Sequence, residues 1–120
     1  MVNRLSGKVA IITGAAVGLG AATAIRMMQE GARVALLDVL DTEGLLLEQN
    51  SPAGAAKYWH CDVAREDAVA AVFDDVVRHF GRLDIVVNNA GVSGANKPTH
   101  EITEAEWDFV QSINVKGVFF

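Results

Sequence analysis

Short apolar runs alternate along the chain with amphipathic stretches. The runs that begin at Val9, Val34 and Ile85 are continuously apolar, which is typical of strands buried on both faces of a sheet. The stretches between them repeat apolar residues at helical spacing, most clearly over 65–80. The pattern predicts strands at 8–13, 33–38, 56–60 and 84–88, and helices at 18–30, 42–49, 65–80 and from 104 onward.

This alternation predicts an α/β fold, with a doubly wound parallel sheet in three αβα layers. Right-handed crossovers place helix 18–30 on one face of the sheet. If the strand order reverses after the third strand, helix 65–80 and the helix from 104 onward cover the other face. The reversal leaves a crevice at the carboxyl ends of strands one and four, where such sheets bind ligands.

Element ends carry recognisable signals. Gly31 is placed as the C-cap of helix 18–30, and Gly81 ends helix 65–80. Thr103 is the predicted N-cap of the last helix, with Glu104 and Glu106 in its first turn. The segments 51–54 and 89–103 are predicted loops.

Composition narrows the class of protein. A length of 120 residues with 51% hydrophobic residues predicts one domain over 1–120. The net charge of −5 argues against nucleic-acid or anionic-membrane partners. The single cysteine, Cys61, excludes an internal disulfide and fits a reducing compartment. Because no membrane-length apolar run or signal-peptide pattern is found, we expect a cytoplasmic protein.

The segment 13–20 is the strongest functional signal, with the spacing Gly14-x-x-x-Gly18-x-Gly20 between a predicted strand and a predicted helix. A pyrophosphate must approach N–H groups at a helix N-terminus, and side chains on the turn would keep it away. Gly14 permits the tight exit from the strand, Gly18 lets the phosphate approach, and Gly20 lets the helix pack. The alternative is a tight turn that binds nothing.

Asp38 ends the second strand, where an adenine ribose would lie. Its carboxylate can accept hydrogen bonds from both ribose hydroxyls, and it would repel a 2′-phosphate by about 4 kcal/mol per unit charge at about 4 Å. No arginine stands at 15, 16 or 39 to offset that repulsion. NAD is therefore predicted rather than NADP. The alternative is a solvated acid at a strand end.

Asp62 and Val63 follow the third strand. The carboxylate could accept the adenine amino group while Val63 covers the ring, or Asp62 could be the N-cap of helix 65–80. Both roles are compatible. Cys61 is interpreted as a small buried hydrophobic residue rather than a nucleophile.

The segment Asn88-Asn89-Ala90-Gly91 ends the fourth strand beside the first. Its amides and small residues suit a backbone that approaches a ligand and bends sharply, although an Asn-rich turn could also satisfy only its own backbone. Thr13 could hydrogen-bond this segment and connect strands one and four.

Taken together, these motifs resemble the short-chain dehydrogenase/reductase family, in order and in spacing. The segment Ile113-Asn114-Val115-x-Gly117 completes the match, which extends over essentially the whole chain. The resemblance implies a Rossmann-type sheet and hydride transfer between NAD and a secondary alcohol or ketone. It also implies a homodimer or homotetramer, formed in part by the helix that begins near Glu104.

The resemblance also implies roles for individual residues. Asn114 corresponds to the family's catalytic asparagine, which holds a water in a relay that leads through a lysine to a tyrosine. The alternative for Asn114 is a helix residue whose amide bonds the turn after strand four. The cofactor-binding residues implied are Gly14, Gly18, Leu19, Gly20, Asp38, Asp62, Val63, Asn88, Ala90 and Gly91.

Two departures from the family pattern qualify this assignment. Val17 stands where many members carry a polar or basic side chain. The family's Ser and Tyr-x-x-x-Lys lie downstream of the Asn114 motif and are absent from this sequence, and Tyr58, near the start of strand three, cannot replace them. We therefore expect the cofactor-binding N-terminal fragment of a longer enzyme, with strand 84–88 as an apolar edge.

Two other functions fit parts of the pattern. The first is a non-catalytic dinucleotide-binding or dimerisation module, which would bind NADH without oxidising an alcohol. The second is a Rossmann-like methyltransferase, in which the Asn88 and Asn114 motifs would have no role. His60, His79 and His100 lack metal-ligand spacing, so no metal site is predicted. Loop 92–100 is a candidate for lining the substrate pocket.

Overall fold

The computed structural model describes residues 3–94 and 96–120. The strands are β1 (Val9–Thr13), β2 (Arg33–Asp38), β3 (Ala56–His60) and β4 (Ile85–Val87). The helices are α1 (Gly18–Gln29), α2 (Asp41–Gln49), α3 (Glu66–Phe80), α4 (Glu104–Asn114) and α5 (Lys116–Phe119), with a short 3₁₀ turn at Thr99–Glu101. Every predicted element is present, and the bounds shift by at most two residues except in the last helix.

The four strands form one parallel sheet in the order β3-β2-β1-β4. The chain moves outward from β1 through β2 to β3 and then returns to the other side of β1, which confirms the predicted reversal. The carboxyl ends of β1 and β4 therefore lie side by side, with Ile12 paired to Val87. This is the place where a doubly wound sheet opens a crevice.

Each face of the sheet buries its own apolar cluster. All five residues of β1 are buried, because one set of alternating side chains packs against α3 and the other against α1 and α2. The α3 side contains Val9, Ile11, Leu37, Val72 and Val76, among others. The opposite side contains Ile12, Ala24, Val34, Leu36 and Tyr58, among others.

The predicted helix from 104 onward is two helices, because the backbone breaks at Val115. We expected it to cover the sheet beside α3, and this is wrong for α4, which has no buried residue. Of the residues from 104 onward, only Phe120, which follows α5, packs against the cluster on the α3 side.

The longest helix of the described chain is α3, with 15 residues. Within residues 3–94 and 96–120, no helix has both the length and the apolarity needed to cross a bilayer.

The helix ends follow the sequence signals with one change. Thr103 and Glu106 form a reciprocal capping box at the start of α4, as the predicted N-cap requires. Gly81 caps α3 in the left-handed conformation. Gly31 is not the C-cap of α1: that position is Glu30, and Gly31 follows it at φ +96°. The left-handed residue after a helix normally occupies this following position.

Glu30 is the buried acid that joins the N-terminal segment to α1. Its carboxylate accepts hydrogen bonds from the backbone N–H and guanidinium of Arg4, and it pairs with Arg26 one turn earlier in α1. The Arg4 hydrogen bonds are the main cause that lowers the pKa of Glu30 to about 2, and Arg26 adds to it. The ionised form is therefore the one that the folded protein favours.

We expect Glu30→Gln to melt at a lower temperature than the wild type at neutral pH, with a difference that shrinks in acid. The depressed pKa means that the stabilisation is complete above the unfolded value of about 4.5 and is lost as the pH falls through about 2. Thermal unfolding followed by circular dichroism between these two pH values measures it. Asp75→Asn, which removes an exposed partner of Arg78 on α3, is the control. A constant difference across this range would contradict the assignment.

Candidate cofactor site

A groove of about 520 Å³ lies at the carboxyl edge of the sheet. Each strand contributes the residues that follow it, and α4 closes one side. The lining consists of Gly14, Val17, Asp38, Val39, Leu40, Cys61, Asp62, Val63, Asn89, Ala90, Gly91, Val92, Phe109 and Ile113. Sequence motifs that lie far apart along the chain therefore meet in one cavity. A volume of this size is ordinary for a small-molecule or cofactor site.

The glycine turn shapes one wall of the groove. A Cβ on Gly20 would lie 2.1 Å from the Gly14 carbonyl oxygen, so only glycine lets α1 approach the turn this closely. Gly14 has φ +64°, and a Cβ there would lie 2.9 Å from the Ala90 Cα. Gly18 differs, since it has φ +61° but a Cβ there would meet, apart from neighbouring backbone, no atom of the described residues within 4 Å. The described part of the chain therefore leaves the space beside Gly18 free.

The N-terminus of α1 is prepared for an anion. Its N-cap, Val17, makes no side-chain capping bond, and its first turn contains no acid. The first-turn N–H groups of a helix have no intrahelical partners, and the helix dipole favours negative charge there. The helices α2, α3 and α4 instead carry two acidic residues each in the first turn. Leu19 lies in the first turn of α1 with its side chain 80% exposed.

Asp38 is partly buried at the end of β2, with its carboxylate beside the glycine turn. Oδ2 accepts the Ala16 N–H at 3.0 Å, while Oδ1 accepts those of Val39 at 2.7 Å and Leu40 at 3.3 Å. In the part of the chain that the structure describes, Asp38 forms no ion pair with a lysine or arginine. Backbone N–H groups, rather than a cationic side chain of the described residues, therefore stabilise its negative charge at the groove.

Asp62 and Val63 continue the wall beyond β3. Asp62 is not the N-cap of α3, which is Arg65; its Oδ1 accepts the Ala64 N–H at 2.9 Å instead. Five residues, 61–65, separate β3 from α3, and Asp62 lies three positions before the N-cap, so its carboxylate bonds the turn rather than the first helical N–H groups. Val63 packs on Gly117, where a Cβ would lie 2.6 Å from its Cγ2.

Cys61 is buried, as its interpretation as a small hydrophobic residue predicts. Burial, together with the charge of Asp62, raises the pKa of its thiol. A raised pKa keeps the thiol protonated at neutral pH, and the thiolate is the reactive form. Cys61 is therefore part of the groove wall rather than a nucleophile.

Thr13 connects β1 to the segment after β4, as predicted. Its hydroxyl oxygen accepts the N–H groups of Asn89 and Ala90, both at 3.0 Å, and the hydroxyl faces the Val87 carbonyl at 3.4 Å. The Asn89 side-chain amide donates to the Gly14 carbonyl at 3.2 Å. The glycine turn and this segment are therefore held together, and Ala90 and Gly91 face the groove. The Asn88 side chain is exposed.

Asn114 lies at the end of α4 and pairs with the loop after β4. Its Oδ1 accepts the Val92 N–H and its Nδ2 donates to the Val92 carbonyl, both at 2.8 Å. This is the alternative considered for it, an amide that bonds the turn after strand four. The pairing joins α4 to the wall formed by Gly91 and Val92.

Several lining residues were not predicted. Val39 and Leu40 directly follow β2 and could have been found by extending the strand-end rule by two positions. Phe109 and Ile113 could not, because the placement of α4 over the groove is a tertiary feature. In residues 3–94 and 96–120, no group of three His, Cys, Asp or Glu side chains is placed to hold a metal ion.

Comparison with models of protein families matches the chain that carries these motifs to one family. The profile described as "short chain dehydrogenase" matches residues 8–120. Secoisolariciresinol dehydrogenase of Forsythia intermedia is 44% identical over 118 residues, which are 98% of this chain and 43% of that protein. D-threitol dehydrogenase of Mycolicibacterium smegmatis is 44% identical over 97% of this chain and 45% of its own length. The chain thus spans less than half the length of these relatives.

Solved structures agree with the fold. A 3-ketoacyl-(acyl-carrier-protein) reductase from Brucella melitensis, complexed with NADH, superposes with a TM-score of 0.92 at 33% identity, over 96% of this chain and 47% of that one. An NAD⁺-bound xylitol dehydrogenase superposes with a TM-score of 0.86 at 38% identity, over 97% of this chain and 45% of that one. The predicted Rossmann-type doubly wound sheet is confirmed.

Proposed function

Because this chain belongs to the short-chain dehydrogenase family, a family of oxidoreductases, we propose that it binds NAD and serves hydride transfer to or from a secondary alcohol or ketone. The observation that carries this proposal is the groove in which the glycine turn, the Asp38 carboxylate and the segment after β4 face one another. Gly18 is not itself a lining residue, but it directly follows Val17, which is one, and among the described residues the space beside it is open to a phosphate.

The proposed binding mode follows the groove from end to end. The N–H groups at the start of α1, around Gly18, Leu19 and Gly20, donate to the pyrophosphate, and Gly14 lets the turn lie close. Asp38 accepts from the adenine ribose hydroxyls. Asp62 and Val63 contact the adenine, and Asn88, Ala90 and Gly91 follow the ribose at the nicotinamide end. A bound nicotinamide supplies the hydride chemistry.

The preference for NAD over NADP is supported by charge. Within the described chain, the groove lining has two carboxylates, Asp38 and Asp62, and no basic side chain. A 2′-phosphate beside Asp38 would meet a repulsion of about 4 kcal/mol per unit charge at about 4 Å and an effective dielectric near 20. Val17 and Val39, which line the groove together with Asp38, supply no compensating cation.

We propose two roles for Asn114, one in positioning the groove wall and one in catalysis. It positions the wall at Val92 through its paired hydrogen bonds, and by family resemblance it is the catalytic asparagine that holds a water of the proton relay.

The substrate is proposed to be a small secondary alcohol or ketone. Assembly as a homodimer or homotetramer through α4 is also proposed, supported by the exposure of Trp107 and Phe109 on that helix. A cytoplasmic location stays a prediction.

The test is a titration of the 120-residue chain with NADH, followed by cofactor fluorescence. We expect saturable binding of NADH and weaker binding of NADPH, because Asp38 opposes the 2′-phosphate. The protein expressed from its complete gene is then assayed for NADH formation with a panel of secondary alcohols. Failure of both forms to bind NADH would overturn the proposal. Binding without turnover of any alcohol would leave the non-catalytic dinucleotide-binding module as the function.

A further inference from the structure

Tyr58 is a buried residue whose hydroxyl group the hydrophobic core does not need. The side chain projects from β3 into the cluster beneath α1 and α2, and the residue is 8% exposed. Its ring packs so closely on Gly44 of α2 that a Cβ there would lie 2.1 Å from the ring. A phenylalanine would fill the same space, so packing alone does not explain the hydroxyl.

The hydroxyl reaches the turn between β2 and α2. It lies 2.8 Å from the Asp38 carbonyl oxygen and 2.5 Å from Asp41 Oδ1, so its proton is shared between these two acceptors. Asp41 is the first residue of α2, and its Oδ1 also meets His60 Nδ1 at 2.8 Å. The end of β2 and the start of α2 are therefore joined through β3.

The turn joined in this way carries the acid of the groove. Between Asp38 and Asp41 lie only Val39 and Leu40, and both line the groove. The Asp38 carboxylate accepts their N–H groups and that of Ala16 in the glycine turn. The direction of that carboxylate therefore depends on the backbone that Tyr58 holds, although Tyr58 itself does not line the groove.

We propose that Tyr58, acting with Asp41, is a positioning residue for the nucleotide: it fixes the backbone of Asp38 so that the carboxylate faces the adenine ribose. The inference rests on the proposed function and deepens it, since it assigns part of the selectivity for NAD over NADP to a residue outside the groove. Small displacements of a binding group are costly because a hydrogen bond weakens steeply away from its preferred distance and angle.

The test is Tyr58→Phe, which keeps the ring and removes both hydrogen bonds. We expect NADH binding to weaken about tenfold, a typical effect of losing buried hydrogen bonds. NADPH binding should change much less, since the mispointed carboxylate also repels the 2′-phosphate less. The ratio of the NADPH dissociation constant to the NADH dissociation constant should therefore fall. Asp41→Asn, which retains an acceptor for the hydroxyl, should lie between Tyr58→Phe and the wild type.

The control for simple destabilisation is Val76→Ala, which removes buried side-chain volume on the opposite face of the sheet. It should lower the melting temperature without changing the ratio of the NADPH dissociation constant to the NADH dissociation constant. If Tyr58→Phe folds and keeps the wild-type ratio, the proposal is wrong. The proposal would also be overturned if Val76→Ala lowered this ratio by as much as Tyr58→Phe does.

A second measurement does not depend on the cofactor. In the free protein, Tyr58→Phe should speed hydrogen exchange at the amides of Ala16, Val39 and Leu40, which bond to the Asp38 carboxylate. The Asn89 amide, held by Thr13, should exchange as in the wild type. Unchanged exchange at the first three amides would overturn the positioning role. If the wild type bound no NADH, the proposed function would fail, whereas this measurement would still decide the role of Tyr58.

Discussion

Gly18→Ala is expected to weaken NADH binding by at least about 100-fold while lowering the free energy of unfolding by only about 1–2 kcal/mol. The modest cost in stability follows from the backbone, because φ at this position is +61° and an L side chain is strained there. Among residues 3–94 and 96–120 no steric cost adds to it, since the added Cβ would meet no atom there within 4 Å beyond neighbouring backbone.

The large effect on binding has a different origin. Gly18 begins α1, where the proposed pyrophosphate takes hydrogen bonds from first-turn N–H groups. A methyl group beside these donors would stand in the space that the phosphate needs. The loss therefore combines several charge-assisted hydrogen bonds, each worth more than a neutral one.

The matched control is Gly54→Ala in the turn before β3. Gly54 also has a positive φ, +76°, and a Cβ there would likewise meet, beyond its chain neighbours, no atom of the described residues within 4 Å. Both variants should melt at similarly reduced temperatures, while only Gly18→Ala loses NADH in a fluorescence titration. Equal NADH affinities in the two variants would show that the phosphate does not bind at the start of α1.

Asp38→Asn is expected to reduce the preference for NADH over NADPH by about 100-fold or more. This corresponds to about 2.7 kcal/mol, which is below the Coulomb repulsion of about 4 kcal/mol per unit charge that a close phosphate would experience. NADPH should bind more tightly than to the wild type. NADH should bind about tenfold more weakly, because the ribose loses a charged acceptor.

The amide should also loosen the turn itself. The carboxylate accepts N–H groups from both sides, from Ala16 and from Val39, and an amide has only one oxygen to offer. Dissociation constants for both cofactors, measured by fluorescence titration, test the prediction. Asp74→Asn on the exposed surface of α3 makes the same change in net charge and should leave the ratio unaltered. A wild-type ratio in Asp38→Asn would place the ribose elsewhere.

The elements that the sequence predicted well are those in which local pattern and burial agree. The continuous apolar runs of β1 and β2 and the strong periodicity of α3 place these elements within one or two residues. The last helix was predicted less well: it breaks at Val115 into two helices, and α4, which was expected to cover the sheet, has no buried residue and leaves Trp107 and Phe109 exposed. Apolar spacing reports which residues share a face, but not whether another element covers it.

The motifs of the candidate site could also be recognised in the sequence. Glycines at fixed spacing and an acid at the end of a strand follow local rules of backbone conformation and strand polarity, so the positions of Gly14, Gly18, Gly20 and Asp38 needed no coordinates. The role of Asp62 could not be predicted in this way, because the geometry of the turn before α3 decided whether its carboxylate reached the helix.

Residues close together in the chain were enough to predict the fold class, the strands and helices and the candidate glycine turn. The strand order was fixed by the folded chain, as were the pairing of Asn114 with Val92, the lining of the groove by Phe109 and Ile113, and the contact of Tyr58 with the backbone of Asp38. These contacts join segments about 20 or more residues apart or depend on how α4 is placed. The local sequence pattern does not predict such contacts, because the same spacing of residues is compatible with many ways of packing the elements.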